Sequence, residues 1–271
     1  MTRSLPFYII IETYFHYLKI TMSTIGKALD ILEVFLKRDD EIGLSELASS
    51  CGLNITTTHR IVHTLVKRGY LKQRQERQKY SLSTKFLQYS NVITRRMKIR
   101  DVASPILDAL SKMAGESVNI AILDSNEAVY IEHIDTNKSL RIFTQIGNRV
   151  PLYCTGVGKI FLAYMRDDES QKVLKGNELL PHTANTITDV KRLKQELGQV
   201  KQEGLAIDSE EMEIGVRCLA APVKNSSGNV IAAISVSGPS ARLSDKRVNE
   251  IKPLIKSCAL EISRALGYNG E

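Results

Sequence analysis

Apolar residues recur at helical spacing along the first third of the chain. In residues 24–37 they share one helical face, formed by Ile25, Ala28, Leu29, Leu32, Phe35 and Leu36. A second, short helix is expected after Leu44, with Ser45 as its N-cap. A third, ITTTHRIVHTLVKR, follows Asn54 as its N-cap, and Gly69 is placed to end it in a left-handed conformation. The pattern predicts three helices, the last two joined by a tight turn.

A polar segment separates two apolar strand ends after the third helix. Tyr70-Leu71 and Tyr80-Ser81-Leu82 flank KQRQERQK, which is polar and mostly basic. This arrangement is typical of a β-hairpin whose tip projects into solvent. Two helical stretches follow, from Thr84 to about Ile99 and then to Gly115, with Pro105 expected in the first turn or so of the second.

Strand-like and helical runs are mixed in the rest of the chain, which predicts an α+β fold class. Strands are expected at 117–124, 128–134, 140–145, 205–208, 218–223 and 230–236. Helices are expected at 155–164, at 190–203, and from a cap at Ser244 to about Leu266. The expected organisation is an extension over 1–22, a winged helix-turn-helix domain over 23–84, linker helices over 85–115 and a sensor domain over 116–271.

The first 22 residues do not extend this pattern. Residues 5–20 are apolar and aromatic but include Glu12, His16 and Lys19, and they are shorter than the roughly 20 residues of a membrane span. A basic start followed by a cleavage site is missing, so a signal peptide is not expected. We expect an extension outside the fold, with translation starting at Met1 or Met22; a short helix packing on a neighbour is the alternative.

Basic charge is concentrated in one part of the chain. The 271 residues carry a net charge of +7. Residues 22–100 hold 15 Lys and Arg against 7 Asp and Glu, whereas residues 101–271 hold 20 against 22. A phosphate backbone attracts such a segment whatever its base sequence. The alternative is a solvated basic face that serves solubility.

The cysteines argue against a disulfide framework and against a zinc finger. Cys51, Cys154, Cys218 and Cys258 are widely spaced and form no CxxC pair. Free thiols in a reducing cytoplasm fit this spacing best.

The third helix carries the residues expected to contact DNA. Two helices joined by a glycine-containing turn, with a basic excess, are the signature of a helix-turn-helix, whose second helix enters the major groove. Arg60 is suited to pair with guanine or to hold a phosphate. A solvated helix surface is the alternative, but three consecutive threonines are poor helix formers. The expected contacts are Thr56, Thr57, Thr58, His59, Arg60 and His63, with Lys72, Arg74, Arg77 and Lys79 of the hairpin near the flanking backbone.

Two other candidate motifs lack residues that their function requires. His59 and His63 have zinc-binding spacing, but the catalytic Glu of HExxH is missing and no third ligand is apparent. The stretch from Thr155 to Lys159 resembles the end of a phosphate-binding loop, but Tyr153 replaces its first glycine and Ile160 its Ser/Thr. No metal and no cofactor are expected.

Several motifs, in order, resemble the IclR family of bacterial regulators. The N-terminal ones are TIGKALDILEVF, LSELASSCGLNITTTHRIVHTLVKRGYL and KYSLSTKFL; the C-terminal ones are RVPLYCTGVGKIFLAY, EGLAIDSEEMEIGVRCLAAPV and GNVIAAISVSGPSARLS. The resemblance covers about residues 23–268. Within it, the stretch SLRIFTQIGNRVPLYCTGVGK is more similar to the branch that includes the 2-keto-3-deoxygluconate regulator than to the glyoxylate-shunt branch. It implies a winged helix-turn-helix, linker helices and a GAF-like effector domain. It also implies a homodimer or homotetramer on palindromic operators, and a small carboxylate that changes DNA affinity.

The resemblance also implies an effector site. Its residues are Gly156, Val157, Asp208, Cys218, Ser235 and Ser237. Amides at a helix N-terminus can bind a carboxylate, and Asp208 would accept from an effector hydroxyl. Without the resemblance, Asp208 is a loop acid, Cys218 a buried core thiol and the serines ordinary strand residues. One departure is Gly156, where the family often has Ala or Ser, so the pocket floor is expected to differ.

The expected function is a cytoplasmic transcriptional regulator, a repressor of a catabolic operon whose operator affinity is modulated by a small carboxylate such as a sugar acid or keto acid. A metabolite-responsive activator is the first alternative. A cysteine-dependent enzyme using Cys218, His133 and Asp208 is a remote one, because it leaves the basic N-terminal part unexplained. An architectural DNA binder would leave about 170 near-neutral residues without a role.

Overall fold

The computed structural model describes residues 23–37, 41–74, 78–96, 98–176 and 179–270. It divides into two compact units, the first ending at Arg96 and the second beginning at Met97. The expected extension over residues 1–22 lies outside the described residues. No helix within the described ranges is long and apolar enough to cross a membrane.

The first unit packs its helices on a small antiparallel sheet with strand order β1-β3-β2. Its core contains the fully buried side chains of Ile31, Leu47 and Val62. The helices are α1 (Thr24–Val34), α2 (Leu44–Cys51), α3 (Ile55–Lys67) and α4 (Lys85–Arg96), and the strands are β1 (Ile42–Gly43), β2 (Leu71–Arg74) and β3 (Lys79–Leu82).

The ends of α3 match the sequence prediction, and the start of α2 does not. Asn54 Oδ1 accepts a hydrogen bond from the Thr57 amide at 2.7 Å, and Gly69 follows the helix with φ +77°. Ser45 is not the N-cap of α2, because the helix begins at Leu44 directly after strand β1. Gly43 therefore occupies the cap, without a side-chain bond.

The apolar face of α1 is only partly buried. Ile31 and Phe35 point into the core, whereas Ile25 and Leu29 are 73% and 54% exposed. The exposed pair borders an apolar groove of about 580 Å³ between α1 and α3. Of the face predicted from the sequence, Phe35 is buried, Ala28 and Leu32 are partly buried, and Ile25, Leu29 and Leu36 are exposed. The most buried residue of α1, Ile31, lies outside the predicted face, because the core contacts the helix on that side.

Helix α4 packs on the rest of the first unit through aromatic side chains. The Tyr70 ring lies 5.8 Å from that of Phe86 and 6.2 Å from that of Tyr89. The Lys85 ammonium lies 4.2 Å from the Tyr70 ring centroid. This first half of the expected linker is thus fastened to the winged domain.

The second unit is a six-stranded antiparallel sheet, in the order β6-β5-β4-β9-β8-β7, with helices on both faces. Its helices are α5 (Lys98–Ala114), α6 (Gly156–Tyr164), α7 (Asp167–Gly176), α8 (Val190–Glu203) and α9 (Asp245–Ala265). Its strands are β4 (Ser117–Asp124), β5 (Glu127–Ile134), β6 (Arg149–Pro151), β7 (Ala206–Ser209), β8 (Val216–Lys224) and β9 (Val230–Pro239).

The two faces of the sheet have different side chains. Large aliphatic residues such as Ile120, Leu219 and Ile234 face α5 and α9. Small residues such as Ala220 and Ala233 face α6 and α8. The mixed fold predicted from the sequence is confirmed.

Two local predictions in this unit were wrong. Residues 140–145 form no strand; the backbone there is held by a side chain, as Arg242 donates to the Leu140 carbonyl at 2.8 Å, and the third strand is β6. Pro105 lies in the middle of α5, because that helix starts at Lys98 rather than at Asp101. Leu107 and Leu110 of α5 are fully buried against the sheet, so this helix belongs to the core of the second unit.

Candidate functional site

The exposed face of α3 carries most of the side chains predicted to contact DNA. Thr56, His59, Arg60 and His63 are exposed, and Thr57 is half-buried. The two imidazole rings stack with centroids 6.3 Å apart. The opposite face is buried through Ile61, Val62 and Leu65. The helix therefore presents polar side chains while its other face anchors it.

Thr58 does not belong to this surface. Its side chain is fully buried, and its hydroxyl donates to the Asn54 carbonyl at 3.0 Å. A run of three threonines spans 200° of a helix with 3.6 residues per turn, so one of them turns into the core.

The hairpin after α3 supplies the predicted basic residues. Lys72, Arg74 and Lys79 are exposed on β2 and β3, which pair antiparallel. The Arg74 guanidinium lies 3.3 Å from a Glu41 carboxylate oxygen. Arg77 lies outside the described residues.

Four strands of the second unit contribute to one polar row. Ser117 on β4 pairs with Ser237 on β9, Ser237 with Cys218 on β8, and Cys218 with Asp208 on β7. Directly paired residues of antiparallel strands point to the same face of a sheet. The four side chains therefore form a continuous row, which we call the polar row.

A second row runs beside the polar row, two residues along each strand. Asn119 pairs with Ser235 on one side and with His133 on the other. Ser235 in turn pairs with Ala220. Of the six predicted effector residues, the sheet thus brings together Asp208, Cys218, Ser235 and Ser237.

The N-terminus of helix α6 packs against these two rows. Thr155 caps the helix, its hydroxyl accepting from the Gly158 amide at 3.2 Å. A Cβ on Gly156 would lie 3.2 Å from Ala220 Cβ and 3.3 Å from Cys218 Sγ. A glycine therefore lets the positive end of the helix dipole approach the sheet. Gly156 and Val157, the first two residues of α6, are buried there.

Burial controls the protonation of the site. It raises the pKa of Asp208 to about 7, with further contributions from the neighbouring Glu211 charge, against the lowering effect of the Glu211 amide and Lys159. Burial and the Asp208 charge raise the pKa of the Cys218 thiol to about 12. The thiol receives a hydrogen bond from Ser237 Oγ at 3.2 Å. Cys218 is thus a buried, protonated thiol rather than an activated nucleophile.

A buried lysine supports the loop next to Asp208. Lys159 of α6 is fully buried, and its ammonium forms ion pairs with Glu196 of α8 and with Glu211. It also donates to the Ile207 carbonyl at 3.1 Å. The ion pairs connect α6, α8 and the segment that follows β7.

A separate cavity of about 440 Å³ lies in the same unit. It is lined by residues such as Tyr153, Leu174 and His182. None of the six predicted effector residues lines it. The cavity and the polar row are therefore distinct features of the second unit.

Sequence reasoning missed two polar neighbours of the predicted effector residues, Ser117 and Asn119, which pair with Ser237 and Ser235. His133, considered from the sequence only for an enzyme, pairs with Asn119. Burial, with the Cys218 and Asp208 charges, raises the pKa of Tyr130 on β5. The available signal was Ser117 and Asn119, two polar residues at two-residue spacing just before the apolar run from Ile120 to Leu123.

The first unit has the form of a winged helix-turn-helix, and the second that of a mixed α/β sensor domain. This combination defines a class of DNA-binding transcription regulators. Family models agree with it: the IclR helix-turn-helix domain matches residues 24–75, and the bacterial transcriptional regulator IclR C-terminal model matches residues 91–264. The chain belongs to the IclR family.

Individual relatives cover nearly the whole chain. The HTH-type transcriptional regulator KdgR of Escherichia coli is 34% identical over 249 residues, which is 92% of this chain and 94% of that protein. The transcriptional repressor IclR of the same species is 31% identical over 248 residues, 91% of this chain and 90% of that protein. The crystal structure of Thermotoga maritima IclR has a TM-score of 0.78 at 33% identity and covers 92% and 100% of the two chains. These relatives are transcriptional regulators, so the cysteine-enzyme alternative is set aside.

Proposed function

We propose that this regulator binds an operator by inserting α3 into the major groove while the β2–β3 hairpin follows the phosphate backbone. The exposed polar face of α3, backed by a buried apolar face, carries this proposal. Thr56, His59 and Arg60 lie in the N-terminal half of the helix, from which recognition helices reach base edges. The basic excess of residues 22–100 supplies the sequence-independent attraction.

Replacing Arg60 tests this assignment. DNA fragments are first selected from a random pool with the wild-type protein, and affinities are then measured by gel shift at fixed salt. Arg60→Ala is expected to weaken binding by about 1–3 kcal/mol if Arg60 reads a base. Arg166→Ala, which removes the same charge from an exposed position of the second unit, is the matched control. Equal affinities for both variants would contradict the assignment.

The second unit is proposed to bind a small carboxylate, such as a sugar acid or keto acid. A carboxylate fits the α6 N-terminus, where the backbone amides of Gly156 and Val157 point and the dipole is positive. Asp208, Cys218, Ser235 and Ser237 would surround the remainder of the ligand. A ligand that binds the folded state raises its apparent stability, so a thermal-shift screen of such acids is the first test.

The screen is followed by one variant. Asp208→Ala is expected to abolish the effect of the active acid on DNA binding and to leave binding without the acid intact. An effector response that survives this change would contradict the pocket assignment.

We further propose a cytoplasmic homodimer or homotetramer that represses a catabolic operon from a palindromic site. The exposed Ile25 and Leu29 of α1 support association with a second copy, since a contiguous apolar surface is a common interface. A reporter gene fused to the bound promoter distinguishes repression from activation. Its expression should rise when the regulator gene is deleted; a fall would favour the activator alternative.

A further inference from the structure

Ile55 is an apolar side chain on the otherwise polar face of α3. It is the first residue of the helix and is 55% exposed. With 3.6 residues per turn, it lies about 40° from His59 and about 80° from His63 around the helix axis. Ile61 and Leu65, on the other side of the helix, are buried. Ile55 therefore adds an apolar surface to the face that is proposed to enter the major groove.

Neither the core nor helix propensity requires an isoleucine at this position. Ile55 is the one exposed aliphatic residue of α3, and other side chains fill the core of the first unit. A β-branched residue is a weaker helix former than an unbranched one. The helix is capped by its neighbour, as Asn54 Oδ1 accepts from the Thr57 amide at 2.7 Å. Single exposed apolar residues are common on protein surfaces, but this one lies in the first turn of the proposed recognition helix.

The residues around Ile55 suit a surface that meets DNA. Thr56 beside it is exposed, and so is Arg60 just over one turn further along the helix. The residues of α3 include no Asp or Glu, although the positive end of a helix dipole favours acidic residues in the first turn. A carboxylate there would be repelled by the phosphates that line the groove. The face is therefore compatible with close approach to base edges.

The C5-methyl group of thymine is the apolar feature of the major groove. The other base-edge groups exposed there are hydrogen-bond donors and acceptors. An isoleucine side chain neither donates nor accepts, so it would leave the amino group of cytosine or adenine desolvated and unpaired. Contact with a thymine methyl instead removes apolar surface of both partners from water. Thymine is thus the base that the chemistry of Ile55 favours.

We propose that Ile55 selects a thymine in the operator by direct contact with its C5-methyl group. The proposal rests on the proposed insertion of α3 into the major groove. It makes Ile55 a specificity-determining residue for DNA, in addition to the contact proposed for Arg60. A residue that contacted only phosphate would add affinity without a preference for any base.

Deoxyuridine tests this contact because it differs from thymidine only in lacking the methyl group. The operator selected with the wild-type protein is resynthesised with deoxyuridine at one thymine position at a time. Gel shifts at fixed salt then measure the affinity of the full-length protein for each DNA. At one or more positions the exchange should weaken wild-type binding about threefold to fivefold, the value of one buried methyl group. At such a position, Ile55→Ala should bind both DNAs equally well, and Ile55→Val should still prefer thymine.

Two controls separate the contact from a general loss of binding. Ile214→Ala makes the same change at a 62% exposed position of the second unit, and it should prefer thymine as strongly as the wild type does. Ile55→Ala should unfold at no lower temperature than the wild type, because the side chain is exposed and alanine favours a helix. It should also keep the wild-type slope of log affinity against log salt, since no phosphate contact is removed.

The outcomes distinguish this contact from the proposed DNA-binding mode. A thymine preference that persists in Ile55→Ala, or no preference at any position, would overturn the methyl contact even if Arg60→Ala weakens binding. A salt slope altered by Ile55→Ala would also count against it. If Arg60→Ala and Ile55→Ala both bind as tightly as the wild type, the insertion of α3 into the groove is itself overturned.

Discussion

Asp208 Oδ1 accepts a hydrogen bond from the backbone amide of Glu211 at 2.8 Å, and still the pKa of Asp208 is raised to about 7. Burial therefore outweighs the amide. The folded protein binds this proton more tightly than the unfolded chain, whose Asp pKa is near 3.8. The free energy of unfolding should consequently fall as the pH rises from about 4 to about 7, and the loss should be complete above that range.

Asp208→Asn tests this dependence because the amide cannot titrate but still accepts from Glu211. Urea unfolding at pH 5 and pH 8 should show a wild-type decrease that exceeds that of the variant by roughly 2–4 kcal/mol. The pKa of Glu211 is also raised by burial, so a common background slope is expected in both proteins. Parallel pH profiles would show that Asp208 is already ionised at pH 5.

Lys159 neutralises the acidic groups next to Asp208. Lys159→Met should lower the free energy of unfolding by about 3–5 kcal/mol, because Glu211 would then remain buried without a counter-ion. Glu196→Gln removes the other, more exposed carboxylate of the cluster and should cost less. Chemical denaturation at pH 7 measures both. A loss of under 1 kcal/mol for Lys159→Met would contradict the proposed neutralising role.

Two helical glycines of the second unit provide a matched pair. A Cβ on Gly158 of α6 would lie 2.4 Å from Leu152 Cα, a backbone atom that has no freedom to move aside. A Cβ on Gly198 of α8 would meet nothing within 4 Å. Gly158→Ala should therefore destabilise the protein by about 1–3 kcal/mol, and Gly198→Ala should stabilise it by about 1 kcal/mol. Thermal unfolding should move the two midpoints in opposite directions.

Substitutions at Thr56 and Thr58 distinguish a role in DNA contact from a role in helix packing. Thr58→Val keeps the buried volume but loses the bond to the Asn54 carbonyl, so it should lower stability by about 1 kcal/mol and leave DNA affinity unchanged. Thr56→Val should weaken DNA binding and leave stability unchanged. Gel shift and denaturation of the same two preparations provide the comparison. Weaker DNA binding by folded Thr58→Val would place its hydroxyl at the interface after all.

Much of the fold was predictable from local patterns. Asn54, Gly69 and Ser244 set helix ends where the sequence indicated them, since capping depends on a few adjacent residues. Residues 140–145 were misassigned because alternation predicts a strand only where a partner strand is available. Here Arg242 holds the Leu140 backbone instead.

The site was less predictable than the fold. The burial of Thr58 follows from helical geometry, but the rotation of α3 about its axis depends on contacts with the rest of the unit. Ser117 is more than 100 residues from Ser237, so only the strand order reveals that they are neighbours. Sequence spacing could show that Ser235 and Ser237 share a face, but not what that face meets.

The pairing of β8 with β9 decides which chemistry the sensor presents. Side chains alternate along β9, so Ser235 and Ser237 face α6 while Val236 faces α5 and α9. A slip of β9 by one residue against β8 would exchange the faces and put aliphatic groups where the two hydroxyls lie, without changing any residue of the strand. The register set at the turn of residues 225–229 therefore determines the polarity of this face as completely as the identity of the two serines does.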